Sequence, residues 1–247
     1  MDRALYVAMT SAKNTMMAQT IHSNNLANVN TQGFKADFAQ ARATGVYYGD
    51  GFPTRAFSQT ENPATDFSQG TAISTGRDFD VTIESSGFIA VQAPDGTEAY
   101  TRNGHMFVDT FGVLRTGENL PVLGNGGPIA LPEYQKAEIG SDGSISVVVK
   151  GEAPETMAAI DRMKLVNPDE TQMVKSPDGL YRLKDNAIAE EDVNVRVMSG
   201  FLEDSNVNAV DELTNILSLS RQYEMSVKLM QTIDQTSEAS TKLLQIS

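Results

Sequence analysis

The chain has 247 residues, 40% of them hydrophobic, no cysteine and a formal net charge of −13. That length supports one or two domains around a sizeable core, and an acidic chain without a basic block speaks against nucleic acid as a partner, because neutralising phosphates takes clustered Lys and Arg. The lack of cysteine excludes thiolate catalysis, disulfides and cysteine-based zinc sites, and no run approaches the roughly 18 apolar residues of a membrane span, so no direct membrane insertion is expected.

Residues 5–26 carry apolar or small residues at helical spacing. Leu5, Met9, Ala12 and Met16 step by four, three and four, and the heptad continues through Gln19 and Ser23 to Leu26. Such a stripe suits a partner helix, although the polar lapses at Gln19 and Ser23 weaken it as a free-standing coiled coil. The helix is expected to end within Asn28–Gly33, where Asn, Thr and Gly compete for local hydrogen bonds. The N-terminus has no basic region followed by a continuous apolar stretch, so no cleaved secretory signal is expected.

Residues 41–75 are rich in Gly, Pro, Ser and Thr, with aromatics at Tyr47, Tyr48, Phe52, Phe57 and Phe67. They read as an extended segment with short strands that docks along other surfaces. From Asp78 to about Val197 strand signals are dense. Val81-Thr82-Ile83 and Phe88-Ile89-Ala90-Val91 flank Ser85-Ser86-Gly87, and turn signals recur at Pro94-Asp95-Gly96, Asn103-Gly104, Asp142-Gly143 and Asp178-Gly179. Alternation broken by such turns predicts an antiparallel β domain.

After Gly200 there is neither Gly nor Pro. Val207, Val210, Leu213, Ile216, Leu217, Tyr223, Val227, Met230 and Ile233 recur at helical spacing, predicting a helix over 207–246. A helix of about 40 residues is near 60 Å long, too long to be covered by a domain of this size, so its apolar face calls for partners. Residues 1–35 hold Arg3, Lys13 and Lys35 against Asp2, while residues 203–247 hold seven acids against Arg221, Lys228 and Lys242. The opposite signs of the two ends favour pairing of N- with C-terminal segments.

No catalytic constellation stands out. His22 lies in the polar end of the first helix, His105 follows a tight Asn-Gly turn, and neither accompanies a nucleophile motif. Gly124-Asn125-Gly126-Gly127-Pro128 lacks the Lys-Ser or Lys-Thr of a phosphate loop and reads as a β-turn. Asp78, Asp80 and Glu84 lack the spacing of a calcium loop. No metal or cofactor is expected.

Three stretches together resemble a known family. Ser23 to Lys35, with its core Asn24-Asn25-Leu26-Ala27-Asn28 and its closing Gly33-Phe34-Lys35, resembles the N-terminal signature of the bacterial flagellar axial proteins, the rod, hook and hook-associated subunits. Leu202-Glu203-Asp204-Ser205-Asn206-Val207-Asn208, followed by Arg221-Gln222-Tyr223-Glu224, resembles their C-terminal signature. Asp80-Val81-Thr82-Ile83, Gly87-Phe88 and Tyr100-Thr101-Arg102-Asn103-Gly104 resemble the β domain shared by rod and hook subunits. The short 41–75 connector and the opening Met1-Asp2-Arg3-Ala4-Leu5-Tyr6 look more like the proximal than the distal rod subunits, whereas Val29-Asn30-Thr31-Gln32 reads like the distal kind.

The resemblance implies an α+β fold. A discontinuous coiled-coil core domain would come from residues 1–40 and 203–247, an extended connector from 41–77, and an antiparallel, mainly-β domain from 78–202. It implies a non-catalytic subunit of the flagellar basal-body rod, the drive shaft crossing the periplasm, polymerising through its terminal helices. The implied partners are other rod subunits, further copies of itself and the flagellar type III export apparatus. The expected subunit-facing residues are Leu5, Met9, Ala12, Met16, Leu26, Leu213, Leu217, Tyr223, Val227 and Met230. The family-motif residues are Asn24, Asn25, Leu26, Ala27, Asn28, Gly33, Phe34, Ser205, Asn206 and Val207. The competing readings are a distal rod subunit, a periplasmic wall-degrading enzyme with a β catalytic domain, and a β binding module on an oligomerising stalk.

Overall fold

The first helix, α1, spans Asp2–Ala27 and contains neither Gly nor Pro. Its end coincides with the Asn-rich tract: the Asn28 amide donates to the carbonyls of Asn24 and Asn25, and a turn then carries the chain to Gly33 at φ +68°. In this computed structural model, residues 2–38, 41–46, 55–60, 64–151 and 157–246 are described. Tyr47, Tyr48 and Phe52 of the expected connector lie outside the described residues, as does the side chain of Phe57.

Four strands follow: β1 (Asp37–Phe38), β2 (Ala41–Val46), β3 (Arg55–Thr60) and β4 (Ala64–Thr65). β1 pairs with β4, and β2 with β3 in a six-residue antiparallel ribbon from Ala41↔Thr60 to Val46↔Arg55. The chain then forms β5 (Ala72–Ser74), β6 (Val81–Ile83), β7 (Phe88–Gln92), β8 (Glu98–Thr101), β9 (Met106–Val108), β10 (Leu114–Thr116), β11 (Leu123–Gly124) and β12 (Gly127–Pro128). The remaining strands are β13 (Tyr134–Ile139), β14 (Ser144–Val149), β15 (Ala158–Arg162), β16 (Leu165–Val166), β17 (Met173–Lys175), β18 (Tyr181–Leu183), β19 (Val197–Ser199) and β20 (Phe201–Glu203). The chain ends in α2 (Ala209–Ile246). At 1.5 Å per residue its 38 residues make a rod of about 57 Å. The Asn208 carboxamide caps it by accepting from the Val210 amide at 3.0 Å, and Asp211 and Glu212 place negative charge on its first turn.

Two compact units result, one of residues 1–29, 36–66 and 207–247, the other of residues 30–35 and 67–206. The first holds both helices and β1–β4. The second is built from strands whose pairings among the described residues are all antiparallel: a five-stranded sheet in the order β16-β7-β8-β18-β17, a three-stranded sheet β13-β14-β15, and the pairs β9-β10, β11-β12, β6-β19 and β5-β20. The α+β architecture with terminal helices agrees with the expectation. Residues 30–35 and 203–206 fall in the β unit rather than in the helical segments drawn at 1–40 and 203–247, because hydrogen bonds and a buried ion pair described below tie them to it.

The β unit is organised around Val81, Ile89, Val91, Met106, Leu114, Ile129, Ile145, Met163 and Leu165, each shielded from solvent. In a second cluster Phe67 meets Phe88 and Tyr181 edge to face, and those two rings are tilted against each other, with centroids 5.4–5.7 Å apart. The turns have a shared chemistry. Asp95, Asp142 and Asp178 each accept from the backbone amide two residues on, at 2.9, 3.1 and 3.1 Å, and each is followed by a glycine at φ +82°. Asp-Gly suits this geometry because the carboxylate satisfies the turn's amide and glycine takes the left-handed conformation without a Cβ clash. The glycine-rich 124–128 segment is a two-residue hairpin, with Leu123 opposite Pro128 and Gly124 opposite Gly127.

Candidate assembly interface

Within the helical unit α1 packs along α2 through small side chains. Ala8, Ala12 and Thr15 of α1 and Ser226 of α2 are all under 9% exposed, and the Ser11 and Ser226 hydroxyls lie 3.5 Å apart. Ala and Ser at a helix contact let the backbones approach closely, but they bury little apolar surface. Many of the large apolar side chains lie outside this seam. Leu5 (40%), Met9 (54%) and Met16 (61%) of α1 are exposed, as are Leu213 (50%), Leu217 (54%) and Tyr223 (39%) of α2. Tyr6, Val7, Met17, Val210, Met225 and Leu229 are exposed with them. A shallow depression on α2 is lined by Thr214, Leu217, Ser218, Arg221, Gln222 and Met225.

The ten residues expected to face other subunits therefore divide. Ala12 is in the α1–α2 seam, Leu26, Val227 and Met230 are half-buried, and the other six are exposed. Ala8, Ser11, Thr15 and Ser226 of the seam carry no large apolar signal in the sequence. Their own signal is the near-heptad spacing of small residues at 8, 12 and 15.

The helix-exit motif is built around one buried amide. Asn25 is 1% exposed; its Nδ2 donates to the Asp37 carbonyl at 2.7 Å and to Glu212 Oε1 at 3.0 Å, and its Oδ1 accepts from the Asp37 amide at 2.9 Å. The other Glu212 carboxylate oxygen pairs with His22 Nδ1. Asn24 and Ala27 are exposed, and the Asn28 carboxamide donates back to the Asn24 carbonyl at 2.9 Å.

The rest of the motif sits in the β unit. The Gly33 amide donates to the Glu203 carbonyl at 2.8 Å. A Cβ on Gly33 would stand 2.4 Å from the Arg102 carbonyl carbon, and its φ of +68° disfavours any other residue, so both the space and the backbone call for glycine. The Phe34 ring carries Lys175 Nζ 4.0 Å above its centroid. Lys35, 1% exposed, donates to Glu203 Oε1 at 2.5 Å and to the Ser68 carbonyl at 2.7 Å. Glu203 Oε1 also accepts from the Gly70 amide at 2.9 Å, and Oε2 from Arg102 at 3.0 Å. Arg102 in turn donates to the Ser85 carbonyl at 2.8 Å and lies 5.4 Å from the Phe88 ring centroid. In the C-terminal motif, the Ser205 amide donates to the Asp204 carboxylate at 2.9 Å and Asn206 Nδ2 to the Ser68 carbonyl at 3.2 Å, while Val207 is half-buried.

The histidines are used locally. His105 Nδ1 lies 2.9 Å from Asp80 Oδ1, and His22 pairs with Glu212. Among the described residues no group of three His, Asp or Glu side chains could hold a metal ion, and no helix is long and apolar enough to cross a membrane.

Three segments of the chain match families of known proteins. Residues 5–35 match the family model for flagella basal body rod proteins, residues 82–147 that of the flagellar hook protein FlgE/F/G D1 domain, and residues 198–243 that of the flagellar basal body rod FlgEFG protein C-terminal region. The chain belongs to the flagellar basal-body rod protein family. Within it the chain is FlgF-like. It is 38% identical, over the full length of both chains, to the flagellar basal-body rod protein FlgF of Salmonella typhimurium and to that of Escherichia coli. It is 32% identical to the rod protein FlgG of Bacillus subtilis, over 95% of this chain and 96% of that one.

Proposed function

We propose that this chain is a mechanical, non-catalytic subunit of the proximal rod, and that it polymerises through the outward faces of its two terminal helices. One observation carries the reading: the helix pair spends alanine, serine and threonine on its internal seam and leaves Leu5, Met9, Met16, Leu213 and Leu217 exposed. A helix pair that ends its life as a monomer buries its largest apolar side chains, and contiguous exposed ones mark a docking surface. Apart from the buried Lys35–Glu203 pair, α1 holds Arg3 and Lys13 against Asp2, and α2 holds Asp211, Glu212, Glu224, Asp234 and Glu238 against Arg221, Lys228 and Lys242, opposite net signs that favour a heterologous contact, α1 of one subunit against α2 of the next. Head-to-tail contacts of that kind generate helical filaments, the geometry of a shaft. The neighbours are further copies of the chain and other rod subunits. Delivery is by the flagellar type III export apparatus, without a cleaved signal, to the basal body where the rod crosses the periplasm.

Complementation tests the reading. Cells lacking this protein should stop rod assembly early, and basal bodies isolated from them should lack a completed rod by electron microscopy. Restoring the full chain should restore the rod. Complete rods in the deletion strain would contradict the proposal.

A further inference from the structure

We propose that Asn25 is a positioning residue: its buried carboxamide locks the helix pair to the β1–β4 ladder of the same unit, so within the Asn-Asn-Leu-Ala-Asn motif Asn25 acts as an internal clamp and is not part of the surface offered to other subunits. The inference rests on the rod reading above and deepens it.

The geometry separates two adjacent asparagines of identical chemistry. Asn24 is exposed, whereas Asn25 is 1% exposed. Asn25 meets one residue, Asp37, at both its amide and its carbonyl, as a strand neighbour would, at 2.9 and 2.7 Å. Only a primary amide offers a donor and an acceptor side by side; leucine offers neither and aspartate offers acceptors alone. The second Nδ2 proton reaches Glu212 Oε1 at 3.0 Å, on the first turn of α2, and Glu212 also holds His22 one helical turn before Asn25. Asp37 continues the chain outward, because its carboxylate accepts from the Thr65 hydroxyl at 2.8 Å and Asp37 pairs with Thr65 across β1–β4. One carboxamide thus fixes three things at once: where α1 ends, where α2 begins, and where β1 runs. A buried polar group with all its bonds made specifies geometry, and one left half-made is costly.

For a shaft subunit this clamp sets the attitude of the helix pair to the strands of its own unit, which every copy must share if successive subunits are to dock alike. Asn25 itself, 1% exposed, offers almost no surface to a neighbour.

The test is complementation of a deletion strain with the full chain carrying Asn24→Ala, Asn25→Asp, Glu212→Gln, or Asn25→Asp with Glu212→Gln, counting completed rods in isolated basal bodies. Asn25→Asp faces Glu212 with a second carboxylate and strips the donor from the Asp37 carbonyl, and should cut completed rods at least about tenfold. Asn24→Ala should stay within about twofold of the unaltered chain, and Glu212→Gln, which keeps an acceptor for Asn25 but loses the carboxylate that holds His22, should cost less than Asn25→Asp. The double variant should recover much of the loss, because the amide introduced at 212 can donate to the carboxylate introduced at 25. Rescue by the second substitution would trace the loss to the contact between positions 25 and 212 and not to a change at position 25 in general. The proposal is overturned if Asn25→Asp supports rods like the unaltered chain, or if the double variant is no better than Asn25→Asp alone. Rods in the deletion strain itself would instead remove the rod reading, so the two failures are distinguishable.

Discussion

Lys35 and Glu203 lie 168 positions apart in the chain, yet their side chains meet at 2.5 Å with each 1% exposed. With Arg102 they form a buried triad of two cations and one anion, to which the Gly70 amide adds a further donor. Such a group adds little net stability over an apolar replacement, but removing its one anion strands both cations at a cost of about 3–5 kcal/mol.

Glu203→Gln should therefore be more damaging than loss of either cation, because it leaves both Lys35 and Arg102 without a counter-charge. Lys35→Met removes one cation and leaves the Arg102–Glu203 pair intact, so it should cost less. Calorimetric unfolding of the full chain should show the larger drop in midpoint for Glu203→Gln. The reverse order would mean that the triad is not held as a charged group.

Tyr100 gives the β unit an alkaline limit. Burial pushes its phenol up to about 12, against the effect of the Ala189 amide bonded to its oxygen. The unfolded phenol ionises near 10. Because the folded value is the higher, the contribution is complete below pH 10 and is lost as the pH rises toward 12. Tyr100→Phe should flatten the fall in stability over that window, measured by denaturant titration at stepped pH. An unchanged slope would show that the phenol plays no part in the alkaline loss.

Leu217→Asp places a charge in the exposed apolar face of α2 and leaves every packed residue of the β unit untouched. It should abolish rod completion and motility while leaving the unfolding of the β unit unchanged. Normal swimming in this variant would count against that face as an interface.

In the free monomer the terminal helices should be cut rapidly by protease while the β unit resists. Ordering costs about 1–2 kcal/mol per residue, and half the apolar face has no partner to offset it. Helical ends that resist while the middle is degraded would contradict the polymerisation account.

How far the sequence disclosed this structure depended on the range of the interactions. The helices were visible because the spacing of apolar residues repeats within each segment; the turns were visible because Asp95-Gly96, Asp142-Gly143 and Asp178-Gly179 carry their own hydrogen-bond acceptor and left-handed glycine. The β2–β3 ribbon was less visible, since Ala41–Val46 lacks an alternating apolar pattern. The clamp and the triad join residues more than a hundred positions apart, and nothing in a single sequence says that Asn25 meets Glu212 or that Lys35 meets Glu203. Nor could spacing alone divide the C-terminal stripe into exposed Leu213 and Leu217 and half-buried Val227 and Met230; that division depends on which way α2 turns against α1.

Because the chain contains no cysteine, a single introduced thiol reports one position without background. Leu217→Cys should react readily with a maleimide in the unassembled chain and be strongly protected in isolated basal bodies, with the exposed turn residue Phe111→Cys as a marker of access. Protection at position 217 on assembly is what polymerisation through the outward face of α2 predicts. Equal labelling of Leu217→Cys before and after assembly would contradict it.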